Sequence, residues 1–391
     1  MKGRYDMNLE EVLVWTSEKD YEEKFLDTIK EEAEFIIFGA GIGGEKTFSL
    51  LKKVGLSQKV VAFVDNNMRK VGSDYCGVKV ISADKILQVA NNPIIIISST
   101  AYDRIVGQLE KMGVEKKRTV YFQPARLLEG DQEKEFIRSH IQEFSFFYDM
   151  LKDEKSKEIV VDLLNYRITK EQKWLDKMAD YVDDEKEQYF DTEILDRYEV
   201  EEGFVDGGAY IGDTLEEFIK HFPTWKTGYY CFEADEEICS ILRLKVDKMQ
   251  LDYVQIYEYA LWNTKTQIAF DNSIGGAGNH IGEGGKNVNC ISIDSALVGK
   301  QIDFIKMDIE GAEHNAIEGA KETIKKCLPV MAICVYHKPE DFYDILMLIH
   351  NISSEYKFYI RQYRYGQTET VLYAVPDCRR KKMRNKRRVE K

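Results

Sequence analysis

The chain has 391 residues, of which 44% are hydrophobic, and it carries a formal net charge of −13 at pH 7. This length predicts two domains rather than one, and the apolar content excludes a disordered class for most of the chain. The charge is uneven, because residues 379–391 carry +8 and the rest of the chain −21, and an acidic body argues against an enzyme that grips long nucleic-acid backbones.

The chain ends and the cysteines bear on the location of the protein. The N-terminal residues lack the apolar stretch of a secretory signal, and no run of 18 apolar residues occurs, so we expect a cytoplasmic protein without a transmembrane segment. Residues 379–391 are expected to form a solvated basic tail. The seven cysteines are scattered and never form C-x-x-C, so neither a zinc site nor a disulfide framework is expected.

The first region, residues 1–123, alternates strand and helix patterns. Continuous apolar runs predict short buried strands at 34–38, 60–64, 94–97 and 120–122. Between them, apolar residues recur at helical spacing. Such strands alternating with helices predict a small parallel sheet and therefore a small Rossmann-like domain.

A glycine-rich turn follows the first of these strands. Gly39, Gly41 and Gly44 form G-x-G-x-x-G before a helix, and Asp65 ends the second strand. This is the context of a dinucleotide-binding turn, although only about half of a dinucleotide fold is present. The region is also similar to the small Rossmann-like domains that precede sugar-modifying enzymes. Three interpretations stay open: a nucleotide or nucleotide-sugar site, which we favour slightly, a dinucleotide site, or a degenerate module that serves assembly.

Residues 124–200 have a different composition. They are rich in Glu, Lys and Asp and contain a single glycine. Aromatic and aliphatic side chains recur at helical spacing, as at Phe144, Phe147, Tyr148 and Leu151. We therefore predict a helical connector between two domains rather than a flexible linker.

Residues 201–378 return to an alternating α/β pattern. Apolar runs predict strands at 204–206, 229–232, 254–261, 303–307, 330–335, 356–363 and 370–375. Only a turn-like stretch around Gly366 separates the last two strands. They are therefore predicted to form a hairpin that closes a mostly parallel sheet and makes one strand antiparallel.

A second glycine-rich turn opens this region. The first strand ends at Asp206, and glycines follow until a helix begins after Gly212. Glycines let a ligand press against the backbone, and the helix N-terminus offers N–H groups to a carboxylate. The next strand ends at Glu233, where an acid typically binds ribose hydroxyls. The pattern favours a nucleotide-like ligand over a plain tight turn with a solvated glutamate.

Charged residues interrupt the strand at 303–307. Lys306 lies within it and Asp308 directly follows, and buried charges are costly unless they are paired or functional. The alternative is a structural pair between Lys306 and a carboxylate. His337 follows the next strand. Asp308, Glu310 and His337 resemble metal ligands in type, but their spacing is not metal-specific, so no metal is expected.

The motifs resemble, in order, those of FkbM-type methyltransferases over residues 190–376, and the matching segments are FVDGGAYIGDT, FEAD, YALW, DFIKMDIEGAEHNAIEGA, LPVMAICVYHKPEDF and TVLYAVP. The resemblance implies an α/β, class I methyltransferase fold that binds S-adenosylmethionine. It implies that the turn holds the methionine half of the cofactor, Glu233 the ribose, and Ala260 and Leu261 the adenine. The implied cofactor-binding residues are Asp206, Gly207, Gly208, Ala209, Tyr210, Gly212, Asp213, Glu233, Ala260, Leu261 and Asp308.

The resemblance implies O-methylation of a sugar hydroxyl in a glycan, a nucleotide-sugar or a secondary metabolite. His337 is the first candidate for the base that accepts the hydroxyl proton, and Asp308 is the alternative. Two other functions stay open: an NAD-dependent oxidoreductase that acts on a sugar nucleotide through the N-terminal turn, and a non-catalytic nucleotide-binding protein. The expected partner is a small-molecule or glycan acceptor and not a nucleic acid, and a homo-oligomer stays open.

Overall fold

The computed structural model describes residues 8–15, 21–29, 33–99, 101–122, 132–182, 187–195, 198, 200–271, 280–281 and 286–377. The basic tail expected at 379–391 lies outside these ranges. Within them, no helix combines the length and the apolar character needed to cross a lipid bilayer.

The chain divides into two compact units. The first comprises Met1–Ile141, Glu158–Val182 and Arg364–Thr368. The second comprises Gln142–Lys157, Asp183–Tyr363 and Glu369–Lys391.

The N-terminal part of the first unit alternates strands and helices. Its strands are β1 (Phe35–Phe38), β2 (Val60–Val64), β3 (Asp74–Tyr75), β4 (Val78–Ile81), β5 (Ile94–Ile97) and β6 (Thr119–Tyr121). Its helices are α1 (Leu9–Val12), α2 (Tyr21–Thr28), α3 (Ile42–Lys53), α4 (Ile86–Val89) and α5 (Tyr102–Lys111). The strands at 60–64 and 94–97 have the predicted bounds.

The strands of this unit form one sheet in the order β3-β4-β2-β1-β5-β6. β1 lies at the centre, pairs in parallel with β2 and β5, and is buried along its whole length. Its uninterrupted apolar sequence follows from this position, since a central parallel strand is covered on both faces. The predicted parallel sheet is confirmed, and the short antiparallel pair β3–β4 extends one edge.

The described part of the predicted connector is helical. Its helices are α6 (Gln132–Ser139), α7 (Ile141–Met150), α8 (Glu154–Thr169), α9 (Gln172–Met178) and α10 (Thr192–Leu195). The segment is nevertheless not a single piece, because 142–157 and 183–200 belong to the second unit and the remainder to the first. Helical spacing reports that a face is apolar but does not specify which core that face joins.

The second unit carries the longer sheet. Its strands are β7 (Phe204–Gly207), β8 (Tyr229–Glu233), β9 (Val254–Glu258), β10 (Ala260–Leu261), β11 (Thr266–Asp271), β12 (His280–Ile281), β13 (Lys286–Ile291), β14 (Phe304–Met307), β15 (Val330–Cys334), β16 (Tyr356–Gln362) and β17 (Thr370–Pro376). Its remaining helices are α11 (Asp213–His221), α12 (Glu236–Met249), α13 (Ile293–Ala296), α14 (Glu313–Glu318), α15 (Lys321–Cys327) and α16 (Asp341–Ile352).

Seven strands of this unit form a sheet in the order β16-β17-β15-β14-β7-β8-β9. β9, β8, β7, β14 and β15 pair in parallel, whereas β17 pairs antiparallel with both β15 and β16. The predicted hairpin that closes a mostly parallel sheet is therefore confirmed, and so is the α/β fold class that the resemblance implies.

The predicted strand at 254–261 is two strands. β9 ends at Glu258, and Ala260–Leu261 forms β10, which pairs with β13 in a separate sheet of order β10-β13-β11-β12. The strand-like sequence continues through Tyr259 without a break. A pattern of apolar residues indicates burial but does not show that the chain leaves one sheet and joins another. The prediction of one continuous strand was wrong.

Aromatic stacking fixes the register of the central strands. The ring of Phe204 in β7 stacks on Tyr229 in β8 and on Phe304 in β14, with centroids 4.8 and 4.9 Å apart. All three side chains are fully buried and are register partners in the sheet. Because the three strands run in parallel, their carboxyl ends emerge side by side, and this edge carries the predicted site.

A buried arginine joins β16 to the segment that precedes the sheet. Arg361 Nε lies 3.1 Å from Asp191 Oδ2, and Arg361 Nη2 lies 2.8 Å from Asp153 Oδ2. Arg361 and Asp191 are both almost fully buried. Charges this deep are stable only as a pair, so the contacts fix the chain around 187–195 to the sheet.

Replacing Arg361 with Met should destabilise the second unit by roughly 3–5 kcal/mol, because Asp191 is then buried without a counter-charge. Equilibrium urea denaturation measures the loss, and hydrogen exchange in β16 and β17 locates it. The matched control is Lys357→Met, since Lys357 lies on β16 like Arg361. This change breaks the more exposed 2.6 Å pair with Asp377 and should lower the free energy of unfolding by less than about 1 kcal/mol. Equal effects of the two substitutions would contradict a structural role for the buried pair.

Candidate active site

The turn after β7 presses against the end of β14. Gly208 has a φ of +73°, and a methyl group at this position would lie 1.9 Å from the backbone oxygen of Asp308. The left-handed conformation and this close approach both require glycine. The turn and the acid-bearing end of β14 are therefore in direct backbone contact.

A buried lysine lies against the same turn. Lys306 Nζ lies 3.0 Å from Asp206 Oδ1 and donates to the backbone oxygens of Gly207 and Gly208 at 3.1 and 2.8 Å. The Tyr229 hydroxyl donates to the other oxygen of Asp206 at 2.7 Å. Burial acts to lower the pKa of Lys306, but the neighbouring aspartates outweigh it and raise that pKa. The structural pair considered for Lys306 is thus present, and it holds the turn in place.

Glu233, at the end of β8, caps the turn from the other side. Its carboxylate accepts hydrogen bonds from the backbone N–H groups of Tyr210 at 3.0 Å, Ala234 at 2.7 Å and Asp235 at 2.9 Å. Burial raises the pKa of Glu233, and these three N–H groups oppose the rise. Each carboxylate oxygen has more than one acceptor position, so the group retains capacity for ligand hydroxyls.

The remaining predicted cofactor residues lie around this turn or beside it. Leu261 packs so closely on Gly207 that a methyl group there would lie 2.8 Å from Leu261 Cδ1. Ala209 is buried, Tyr210 is 39% exposed, and Asp213 begins α11. The structure therefore brings the turn, the β8 end and β10 together.

Asp308, directly after β14, is held by two phenols. Tyr189 donates to Asp308 Oδ2 at 2.9 Å, and Tyr336 donates to Oδ1 at 3.3 Å. His337 Nε2 lies 3.3 Å from Oδ1. Burial acts to raise the pKa of Asp308, but His337 and Lys306 outweigh it and lower that pKa. Asp308 is therefore an oriented carboxylate in its charged form.

His337 lies among several acids. Its Nδ1 is 3.0 Å from Glu313 Oε1 and its Nε2 is 3.6 Å from Glu310 Oε2, while only 9% of the side chain is exposed. Burial acts to lower the pKa of His337, but Glu313 and Asp308 outweigh it and raise it well above the ordinary value. Burial raises the pKa of Glu310 to about 7. The structure thus joins the predicted catalytic residues in one acidic cluster.

Three residues of this cluster were not predicted as site residues. Tyr189 belongs to the segment predicted as a connector, where helical spacing does not single it out. Glu313 begins α14, and an acid in the first turn of a helix is ordinarily explained by the helix dipole. Tyr336 directly precedes His337 in the sequence, and this position next to a predicted catalytic residue is the one sequence feature that points to Tyr336.

The second unit matches a known family. Residues 206–363 fit the family model described as the methyltransferase FkbM domain. This range contains the turn, Glu233, Asp308 and His337. The second unit therefore carries a region similar to the methyltransferase FkbM domain, called the FkbM-type domain below.

A solved structure agrees with the fold. A methyltransferase FkbM from Methylobacillus flagellatus KT is similar at 20% identity, with a TM-score of 0.64 over 90% of this chain and 98% of that one. A S-adenosylmethionine-dependent methyltransferase from Aquifex aeolicus is 15% identical, with a TM-score of 0.27 over 52% of this chain and 97% of its own. Aeropyrum pernix fibrillarin, with natively bound S-adenosylmethionine, is 11% identical, with a TM-score of 0.29 over 45% of this chain and 67% of its own. At such TM-scores the latter two support no conclusion.

The first unit also matches a family model. Residues 31–120 fit the one described as C2185-like, N-terminal. No curated protein matches the chain significantly.

The N-terminal glycine turn is tightly packed against the helix that follows it. Gly39 has a φ of +116°, and a methyl group on Gly44 would lie 2.0 Å from the Gly39 backbone oxygen, so α3 packs directly on the turn. Asp65 Oδ2 accepts from the Ala40 N–H at 3.1 Å and from Lys70 Nζ at 3.0 Å. Asp65 therefore lies beside the turn, but Lys70 already binds Oδ2, which is the carboxylate oxygen that contacts the turn.

Replacing Gly208 with Ala should destabilise the FkbM-type domain by more than about 3 kcal/mol, because the new methyl group overlaps the Asp308 backbone. The matched control is Gly299→Ala, where φ is +77° and a methyl group meets nothing within 4 Å. This control should lose only the roughly 1–2 kcal/mol of a left-handed residue. Urea denaturation compares the two variants, and equal losses would mean that the contact with Asp308 is unimportant.

Proposed function

We propose that the FkbM-type domain transfers a methyl group from S-adenosylmethionine to a hydroxyl group of a sugar, carried on a glycan, a nucleotide or a secondary metabolite. One observation carries this proposal: the ends of β7, β8 and β14 meet at one edge. Tyr210 N–H donates to Glu233 at 3.0 Å, and Gly208 touches the backbone of Asp308. In open α/β sheets, ligands bind in such a crevice at the carboxyl ends of the strands.

The residues at this edge fit the parts of the cofactor. Glu233 is a mostly buried carboxylate with spare acceptor capacity, which suits the ribose hydroxyls. Ala260 and Leu261 offer apolar surface to the adenine. The turn and the start of α11 present backbone N–H groups to the methionine carboxylate. We propose that Asp206 acts indirectly, since its carboxylate is buried against Lys306 and Tyr229.

Asp308 and His337 are the proposed catalytic pair. In the transfer, the bond between sulfur and the methyl carbon breaks and its electrons stay on sulfur, while a bond forms from the acceptor oxygen to that carbon. The hydroxyl proton leaves to a base. Orientation of the two reactants supplies most of the acceleration in such an in-line displacement. His337 carries a raised pKa among its acids, so it can accept the proton only where that negative charge is offset.

The polar character of the cluster supports a sugar as acceptor. Two phenols, from Tyr189 and Tyr336, converge on Asp308 together with His337 and Glu310. Groups of this kind form hydrogen bonds with several hydroxyls at once. The resemblance to enzymes that methylate sugars and secondary metabolites favours the same class.

For the first unit we propose a nucleotide or nucleotide-sugar site at Gly39, Gly41, Gly44 and Asp65. Gly41 precedes α3 in extended backbone, and a methyl group there meets nothing within 4 Å. Open space in front of a helix N-terminus suits a phosphate group. The ammonium of Lys70 beside Asp65 weighs against the ribose contact of an NAD enzyme and favours the nucleotide-sugar alternative.

Replacing Glu233 with Gln should weaken binding of S-adenosylmethionine about 10–100-fold, because hydrogen bonds to a charged acceptor contribute roughly 1.5–3 kcal/mol. Isothermal titration calorimetry on the full chain measures the affinity. Glu217→Gln is the matched control, since Glu217 binds Lys220 on the surface of α11 at 2.7 Å and its loss should leave the affinity unchanged.

The activity is tested by release of S-adenosylhomocysteine in the presence of sugar and nucleotide-sugar acceptors, with the methylated position identified by mass spectrometry. Unchanged cofactor affinity in Glu233→Gln would remove the cofactor assignment. Cofactor binding without S-adenosylhomocysteine release, with any acceptor, would instead favour the non-catalytic alternative.

Replacing Gly41 with Val should abolish binding of nucleoside diphosphate sugars while folding stability changes by less than about 1 kcal/mol, because a Cβ at this position meets nothing within 4 Å. Thermal shift with a panel of UDP- and GDP-sugars measures binding, and Lys53→Met at the far end of α3 is the control. Failure of the unaltered chain to bind any of these sugars would reject the N-terminal site.

A further inference from the structure

Asp308, Glu313 and His337 converge from three different elements. Asp308 follows β14, Glu313 begins α14 and His337 follows β15. One ligand atom from each residue lies within 4.8 Å of the other two. Donor atoms bound to one ion at about 2.0–2.3 Å lie about 3–4.5 Å apart, so the spacing accommodates a single cation.

Buried polar atoms in this cluster have no hydrogen-bond partner. Among the residues that the structure describes, none forms an aligned hydrogen bond with Nδ1 or Nε2 of His337 or with Oε2 of Glu313. Glu313 is fully buried and the His337 side chain is 9% exposed. Buried polar atoms are normally paired. Carboxylate oxygens approach the imidazole at 3.0–3.6 Å, so they neutralise its charge, but they lack the alignment that a ring N–H requires and leave both ring nitrogens without an aligned hydrogen bond.

The surroundings hold the carboxylates as metal ligands are held. Tyr189 and Tyr336 orient Asp308, and the Ile309 N–H donates to Glu313 Oε1 at 2.9 Å. Neighbouring donors of this kind fix ligand geometry in known metal sites. Glu310 adds a further acid 3.6 Å from the imidazole, so the cluster contains more acidic than basic side chains.

We propose that Asp308, Glu313 and His337 bind one divalent metal ion of the Mn²⁺ type. Two carboxylates and one imidazole suit first-row ions better than Ca²⁺, which prefers oxygen ligands alone. The sequence does not reveal the site, because its ligands have no metal-specific spacing and an acid in the first turn of a helix, such as Glu313, is ordinarily explained by the helix dipole.

The chemical use of the ion rests on the proposed function. The ion binds the acceptor hydroxyl and favours loss of its proton to water or to Glu310, and the resulting oxygen takes the methyl group from the sulfonium. This arrangement replaces the direct proton transfer to His337 considered above, because the imidazole binds the ion and the ion offsets the negative charge around it.

The test is binding of Mn²⁺ to the chelator-treated full chain, followed through the electron paramagnetic resonance signal of the free ion. We expect one Mn²⁺ per chain, and electron spin echo modulation from an imidazole nitrogen in the bound ion. Glu313→Gln should weaken binding at least about tenfold. Asp344→Asn, which removes the acid of the similar pair between Asp344 and His314 at 2.7 Å, should leave the affinity unchanged.

Absence of Mn²⁺ binding, or binding without nitrogen modulation, would overturn the metal site in the unaltered chain, whatever the folding of the variants. Calorimetry with S-adenosylmethionine separates this proposal from the proposed function. Cofactor binding without Mn²⁺ binding would reject the ion alone, whereas Mn²⁺ binding without cofactor binding would support the ion and reject the proposed cofactor.

Discussion

The contact between Lys306 and Asp206 is the constraint on which the rest of the site depends. An ammonium group buried between two parallel strands must be satisfied on every side, and here a carboxylate and two backbone oxygens of the turn satisfy it. Because Lys306 and Asp206 are register partners, the pair fixes the position of the turn along the strand direction relative to β14. This position brings Gly208 against the backbone of Asp308. It also lets the Tyr210 N–H donate to Glu233.

The edge of the sheet has two different electrostatic environments. Around Glu233, backbone N–H groups surround a single carboxylate, which suits recognition of a neutral sugar ring. Around His337, several carboxylates share one imidazole, which suits control of a proton or a cation. Lys306 lies between the two environments, because it donates to the backbone of the turn and its ammonium lies over the ring of Tyr189, which donates to Asp308.

Much of this arrangement could be predicted from the sequence, for physical reasons. Continuous apolar runs predicted the central strands, since a parallel strand is covered on both faces, and the glycines of the turn predicted a close backbone approach. The pattern could not reveal Tyr189, because its contact with Asp308 joins residues far apart in the chain. Nor could it reveal that the chain changes sheets at Tyr259, or that residues 124–200 divide between two cores, because periodicity reports burial without naming the neighbour.

The second unit needs residues outside the family match in order to fold. The buried arginine of β16 and the strand β17 show this. The family match ends at residue 363, whereas β17 (Thr370–Pro376) lies between β15 and β16 in the sheet. Asp153 and Asp191, the partners of Arg361, both precede the match. A fragment cut at the limits of the match would carry an orphaned guanidinium and an open strand edge, which invites aggregation. The recognisable sequence of this domain is therefore not an autonomous folding unit.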